Sequence, residues 1–112
     1  MDKINSYKNI IRNLLSEIAE NFRKSNRWEV IEAFDEQRGQ YILFTDGWQG
    51  EKREYGCFMH IEVSEKGKIW LRRDGTDLNI GQLILDEQVP KSDLVLAFHS
   101  PKLRAMTEFA VA

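Results

Sequence analysis

Cysteine, proline and histidine are scarce in this chain: 112 residues hold one cysteine, two prolines and two histidines. The lone Cys57 excludes an intrachain disulfide and a cysteine-rich zinc site, and it fits a reducing compartment, the cytoplasm. So little proline argues against a disordered or linker-rich chain. Basic charge is not in excess either, since 16 Lys and Arg stand against 18 Asp and Glu for a net charge of −2. The whole molecule therefore lacks the field that draws a protein nonspecifically to nucleic acid, and any DNA contact must be local. No apolar run approaches the ~20 residues needed to span a bilayer. Met1-Asp2-Lys3-Ile4-Asn5 is not a basic segment followed by an apolar one, so no export or anchoring signal is expected. Repeats, low-complexity tracts and linkers are missing too, and the length suits one hydrophobic core. A single domain over 1–112 is expected.

What is present is globular in composition, 42% apolar and 30% charged. From Asp2 to about Lys24, Ile4, Tyr7, Ile11, Leu14, Leu15, Ile18 and Phe22 recur at helical spacing and line one face. Asp2 can cap this helix, Arg23 and Lys24 suit its negative end, and Ser25-Asn26 offers a stop. At ~1.5 Å per residue it is roughly 33 Å long, enough to cross a small sheet. Trp28 to Phe34 and Tyr41 to Thr45 are β-rich runs separated by a polar stretch, which predicts a hairpin. Both alternations in these strands are apolar, with Trp28, Val30 and Phe34 against Ile31 and Ala33, and Tyr41 and Leu43 against Ile42 and Phe44. One helix layer covers only one face of such a sheet. Either another protein or copy covers the second, or the C-terminal segment folds over it.

Asp46 to Lys52 reads as a turn with two glycines that places Trp48 at a corner. A long hairpin follows, Arg53 to Ser64 and Lys68 to Asp74, with Tyr55, Cys57, Met59, Ile61 and Val63 expected in the core. A two-residue loop would mix core and surface. A three-residue loop, Glu65-Lys66-Gly67 with Gly67 left-handed, pairs Val63 with Ile69 and Ile61 with Leu71. It also sets Glu62 opposite Trp70 and His60 opposite Arg72. The resulting stripe of His60, Glu62, Lys68, Trp70, Arg72 and Arg73 is the expected surface for a partner or for DNA.

Asp74-Gly75-Thr76-Asp77 can cap a second helix, about Leu78 to Glu87, which Val89-Pro90-Lys91 ends. Leu94 to Phe98 suits a fifth strand buried on both sides, and Ser100-Pro101 starts a last helical turn. The tail from Met106 to Ala112 is expected to dock. The fold class is α+β: a long N-terminal helix on a mainly antiparallel sheet of four to five strands, a second helix, and a short C-terminal helical or extended segment.

Catalytic constellations do not form in this pattern. Cys57 and His60, three apart on a strand, should point to opposite faces, which excludes a direct dyad. Cys57 reads as a small core residue, His60 as a surface residue and His99 as part of a turn. The glycines lack phosphate-loop spacing, and no metal-ligand spacing is seen, so no cofactor and no enzyme activity are expected. For DNA there are Lys52, Arg53, Lys68, Arg72 and Arg73, which could line one hairpin surface. Glu51, Glu54, Glu62, Glu65 and Asp74 are interspersed, so the mixed-charge reading is favoured.

The chain resembles the XisI proteins, described as controlling factors for excision of the fdxN element from cyanobacterial chromosomes. The resemblance rests on Gly47-Trp48-Gln49-Gly50, Lys52-Arg53 and Tyr55-Gly56-Cys57; on Lys68-Ile69-Trp70 with Gly75-Thr76-Asp77; and on Val89-Pro90-Lys91, Asp93, Phe98-His99, Pro101, Arg104 and Thr107 to Ala112. Trp48, Gly50, Arg53, Tyr55, Gly56, His99, Arg104 and Glu108 are its motif residues. Gln88 departs from the family, which tends to have Gly there, and Ser100 stands where Pro is common. The resemblance implies a small α+β protein that acts with a site-specific recombinase and a companion called XisH. With the apolar second face, it leads to an expected homo-oligomer that binds an XisH-like protein; a DNA-binding accessory role is the alternative.

Overall fold

A computed structural model describes residues 2–25 and 29–112. The first helix, α1 (Lys3–Ser25), begins where expected, with the Asp2 carboxylate accepting from the Ile4 amide at 3.0 Å. Tyr7, Ile11, Leu15, Ile18 and Ala19 are its buried stripe. The expected stop at Asn26 and the strand start at Trp28 lie outside the described residues.

Five strands form one sheet in the order β1 (Glu29–Asp35), β2 (Gln40–Gln49), β3 (Lys52–Val63), β4 (Ile69–Asp74) and β5 (Leu94–Leu96). The first four are antiparallel neighbours, and β5 joins β4 in parallel. A parallel return needs a crossover. Residues 75–93 supply it through α2 (Ile80–Leu85) and a 3₁₀ turn at Lys91–Asp93. The architecture is thus α+β with a mixed sheet.

Register divides the sheet into two faces. On the helix side, Phe34, Tyr41, Ile61, Leu71 and Leu96 form one row across all five strands, and Val63, Ile69 and Leu94 form the next. These rows pack with α1, Ile80 and Ile84 into one core. Glu32 lies on the same side at the sheet edge, where Ser16 and Arg23 of α1 donate to its carboxylate at 2.7 and 2.8 Å. The far side carries the rows Ile31, Phe44, Cys57 and Ala33, Ile42, His60, then Asp35, Gln40, Glu62, Trp70, Val95.

The β3–β4 turn has the expected form, with Gly67 at φ 79° and Val63 opposite Ile69. Five other expectations are corrected. Asp46 to Lys52 is not an open turn: β2 runs through Gln49, which pairs with Lys52 across Gly50-Glu51. A bulge leaves Phe58 between the pairs Phe44–Cys57 and Leu43–Met59. Phe58 stacks on Phe22 with ring centroids 5.3 Å apart. The extra residue inverts the phase, so Tyr55 and Cys57 leave the core face and Tyr55 is 61% exposed. A second bulge at Arg72 sets His60 opposite Arg73 in place of Arg72. Finally, β5 ends at Leu96 and leaves Phe98 exposed, while α2 is shorter than the Leu78 to Glu87 expectation.

The tail docks, as expected. Ser100 caps α3 (Pro101–Arg104) by accepting from the Leu103 amide, and Ala110 bridges Val95. Val95 is fully buried yet stands apart from the main core, which puts the tail over the far face at β5. The tail covers one end of that face; the β1–β3 half keeps Ile31, Trp48 and Tyr55 exposed.

Candidate functional site

The structure brings four of the six stripe residues together. Glu62, Lys68, Trp70 and Arg72 line a groove of about 690 Å³ at the β3–β4 turn, together with Lys8, Arg38, Lys66 and Ala112. Arg72 lies 4.9 Å and Arg104 5.4 Å from the Trp70 ring centroid, so both guanidiniums flank one indole. Arg72 also donates twice to Glu62, at 2.9 and 2.6 Å. Lys68 donates to the Ser92 carbonyl at 2.7 Å and sits 3.6 Å from Asp93. His60 and Arg73 stand outside the groove lining. His60 shares its Nε2 with Gln40 at 2.7 Å, and Arg73 donates to the Cys57 carbonyl. Burial, then the Arg72 charge, hold the His60 imidazole below its ordinary range.

The five basic residues considered for DNA do not share one face. Lys52 and Arg53 are successive on a strand and point oppositely, with Lys52 near Glu54 at 3.5 Å. Arg53 is bound to Asp46 at 2.6 Å and to the Gly47 carbonyl at 3.1 Å. Each of the five is therefore engaged within the chain.

Among the described residues, Asp93 is the buried carboxylate. It accepts from the Tyr7 phenol at 2.5 Å and pairs with Lys3 at 2.9 Å. Burial alone would raise its pKa, but the Tyr7 bond and the Lys3 and Lys68 charges outweigh it and hold the group below the usual carboxylate range. The same burial and contact push the Tyr7 phenol up to about 12. The arrangement ties α1 to the β4–β5 end.

The motif residues divide into two groups. Trp48, Gly50, Arg53, Tyr55 and Gly56 occupy the distal β2–β3 hairpin, with Gly50 at φ 64° in its turn. Arg53 lies 5.3 Å from the Trp48 centroid and 5.0 Å from that of Tyr55, and both aromatics are about 60% exposed. His99, Arg104 and Glu108 belong to the tail. Arg104 donates to the carbonyls of His99, Ala97 and Val111, and Glu108 accepts from Lys91 at 2.7 Å.

The bulge places Cys57 and His60 on the same face, against the sequence expectation. They still do not form a dyad, because the Cys57 thiol donates to the Met59 carbonyl at 3.4 Å and His60 is paired with Gln40. His99 Nδ1 is buried without a partner, its ring edge-on to Phe98. Ile31, Ile42 and Phe44, outside the stripe and the motif residues, floor the open half-face. Their signal was the double apolar alternation of β1 and β2.

A family profile described as XisI protein matches residues 1–111. Among solved structures, a XisI-like protein from Anabaena variabilis is 32% identical with TM-score 0.89, over 97% of this chain and 99% of that one. The fdxN element excision controlling factor XisI from Anabaena variabilis is 33% identical with TM-score 0.81, over 99% of this chain and 100% of its own. No curated protein matches the chain.

Proposed function

The chain belongs to the XisI family, and from that membership we propose that it is a non-enzymatic controlling factor for site-specific excision of a DNA element, acting through protein contacts. The relative described as an excision controlling factor aligns along its full length. The observation that carries the protein-contact reading is the open β1–β3 half-face, where Ile31 is 37%, Trp48 60% and Tyr55 61% exposed. Contiguous exposed apolar surface of this kind marks interaction sites. A second copy, an XisH-like companion and a recombinase are the partners in this reading. Sedimentation and pull-down test it: association of the chain with itself or retention of the companion is expected. A strict monomer that retains no companion would sink it.

A second reading, a DNA-binding accessory protein, draws on the groove, where Lys66, Lys68 and Arg72 stand beside Trp70. It requires a duplex shift that weakens steeply with salt. The engagement of Lys68 and Arg72 within the chain favours the first reading.

A further inference from the structure

We propose that Trp48, Arg53 and Tyr55 form a preassembled platform that seats a second copy of this chain, face to face, on the open half of the sheet. The proposal rests on the protein-contact reading and names both occupant and anchor. It starts from the shape of the hairpin. β1 ends at the Glu29–Asp46 pair and β4 at the Asp74–Met59 pair, so among the described residues the segment from Gly47 to Glu54 has no flanking strand. A two-stranded ribbon is marginal in water by itself and gains from being covered.

The platform is ordered before anything binds. Arg53 is fixed by Asp46 and the Gly47 carbonyl, and its guanidinium lies within 5.3 Å of both ring centroids. Trp48 and Tyr55 therefore stay presented and exposed, with their ordering cost met within the monomer. Tryptophan, tyrosine and arginine are also the residues that most often carry interface affinity.

Charge selects the occupant. Arg53 is neutralised by Asp46 and Lys52 lies by Glu54, leaving Glu51 over, so the hairpin tip has no surplus of positive charge for a polyanion. In a two-fold interface each patch meets its own kind, and a patch of one sign would repel itself. Here Asp46 offsets Arg53, and the floor of Ile31, Ile42 and Phe44 is apolar. Strands of 7, 10 and 12 residues at ~3.4 Å rise and ~4.8 Å spacing give a footprint of about 470 Å² before side-chain relief. That approaches the ~800 Å² per partner of a standard interface.

The test is sedimentation equilibrium of the full chain and its variants, with circular dichroism as the check on folding. Trp48 and Tyr55 are exposed, so their replacement leaves the core intact. The wild type is expected to dimerise, and Trp48→Ala and Tyr55→Ala each to weaken dimerisation at least about thirtyfold. Arg53→Lys keeps the charge but loses the planar fork, and is expected to weaken it as well. Adding Arg53→Lys to Trp48→Ala plus Tyr55→Ala should cost nothing further, which separates positioning from a general structural role. A monomeric wild type, or a dimer indifferent to Trp48 and Tyr55, overturns the proposal. A monomeric wild type that retains the XisH-like companion overturns the proposal alone; one that retains none sinks the protein-contact reading with it.

Discussion

Gln88 offers a clean perturbation, because it holds φ 71° while exposed at the end of the α2 segment. Its amide donates to the Leu85 carbonyl at 3.1 Å, closing the last turn before Val89 enters the core. A side chain in the left-handed region costs about 1–2 kcal/mol. Glycine escapes that cost but surrenders roughly 0.5–1 kcal/mol in unfolded-state entropy. Gln88→Gly should therefore stabilise by about 0.5–1 kcal/mol. With an unfolding entropy of ~2.1 cal/mol/K per residue, a chain of this length gains about 2–4 °C in Tm. Thermal unfolding and urea titration with an unchanged m value measure it. A Tm that stays put or falls would refute the reasoning, since it would mean that the left-handed turn carries no strain.

The opposite effect is expected at Gly39, where φ is 66° and an added Cβ would lie 2.2 Å from the Val63 carbonyl oxygen. Gly39→Ala should cost about 3 kcal/mol or more in urea unfolding, because backbone, not a mobile side chain, stands in the way. Asp93→Asn should cost about 2 kcal/mol near neutral pH through the lost charge-assisted bonds to Tyr7 and Lys3. Since the folded pKa of Asp93 is lowered, its contribution is present above the ordinary carboxylate value and is lost as pH falls through the folded value; the variant should flatten that acid limb of the stability curve. Tyr7 works in the other direction: its contribution is present below the ordinary phenol value of 10.0 and lost as pH rises through about 12, so Tyr7→Phe should flatten the alkaline limb. Arg104→Ala removes the donor to three tail carbonyls and one neighbour of Trp70, and limited proteolysis should then cut between residues 105 and 112 well before the rest of the chain.

Local rules carried the sequence reading a long way. The stripe of α1, the Gly67 turn with its Val63–Ile69 register, and the Ser100-Pro101 start of α3 all follow from spacing and cap chemistry. The two bulges did not follow, because a single inserted residue leaves no periodic mark. Cys57-Phe58-Met59, three apolar residues in succession, was the only trace of the first. Its effect was large, since it moved Tyr55 and Cys57 to the far face and so built the half-face on which the functional reading depends. The strand through Trp48 was hidden for a related reason: Gly47 and Gly50 look alike in sequence, yet only Gly50 has positive φ. Parallel pairing of β5 depends on contacts distant in the chain, which local propensity does not encode. The stripe and the motif residues could be named from the sequence, but the division of the motif between the distal hairpin and the tail needed three dimensions.

The most direct test of the central claim is a mobility shift of excision-site duplex at low salt, with the purified chain alone and with the XisH-like companion co-expressed. The chain alone is expected to leave the duplex unmoved and to co-purify with the companion. A salt-sensitive shift by the chain alone, lost in Arg72→Ala with Arg73→Ala, would contradict it.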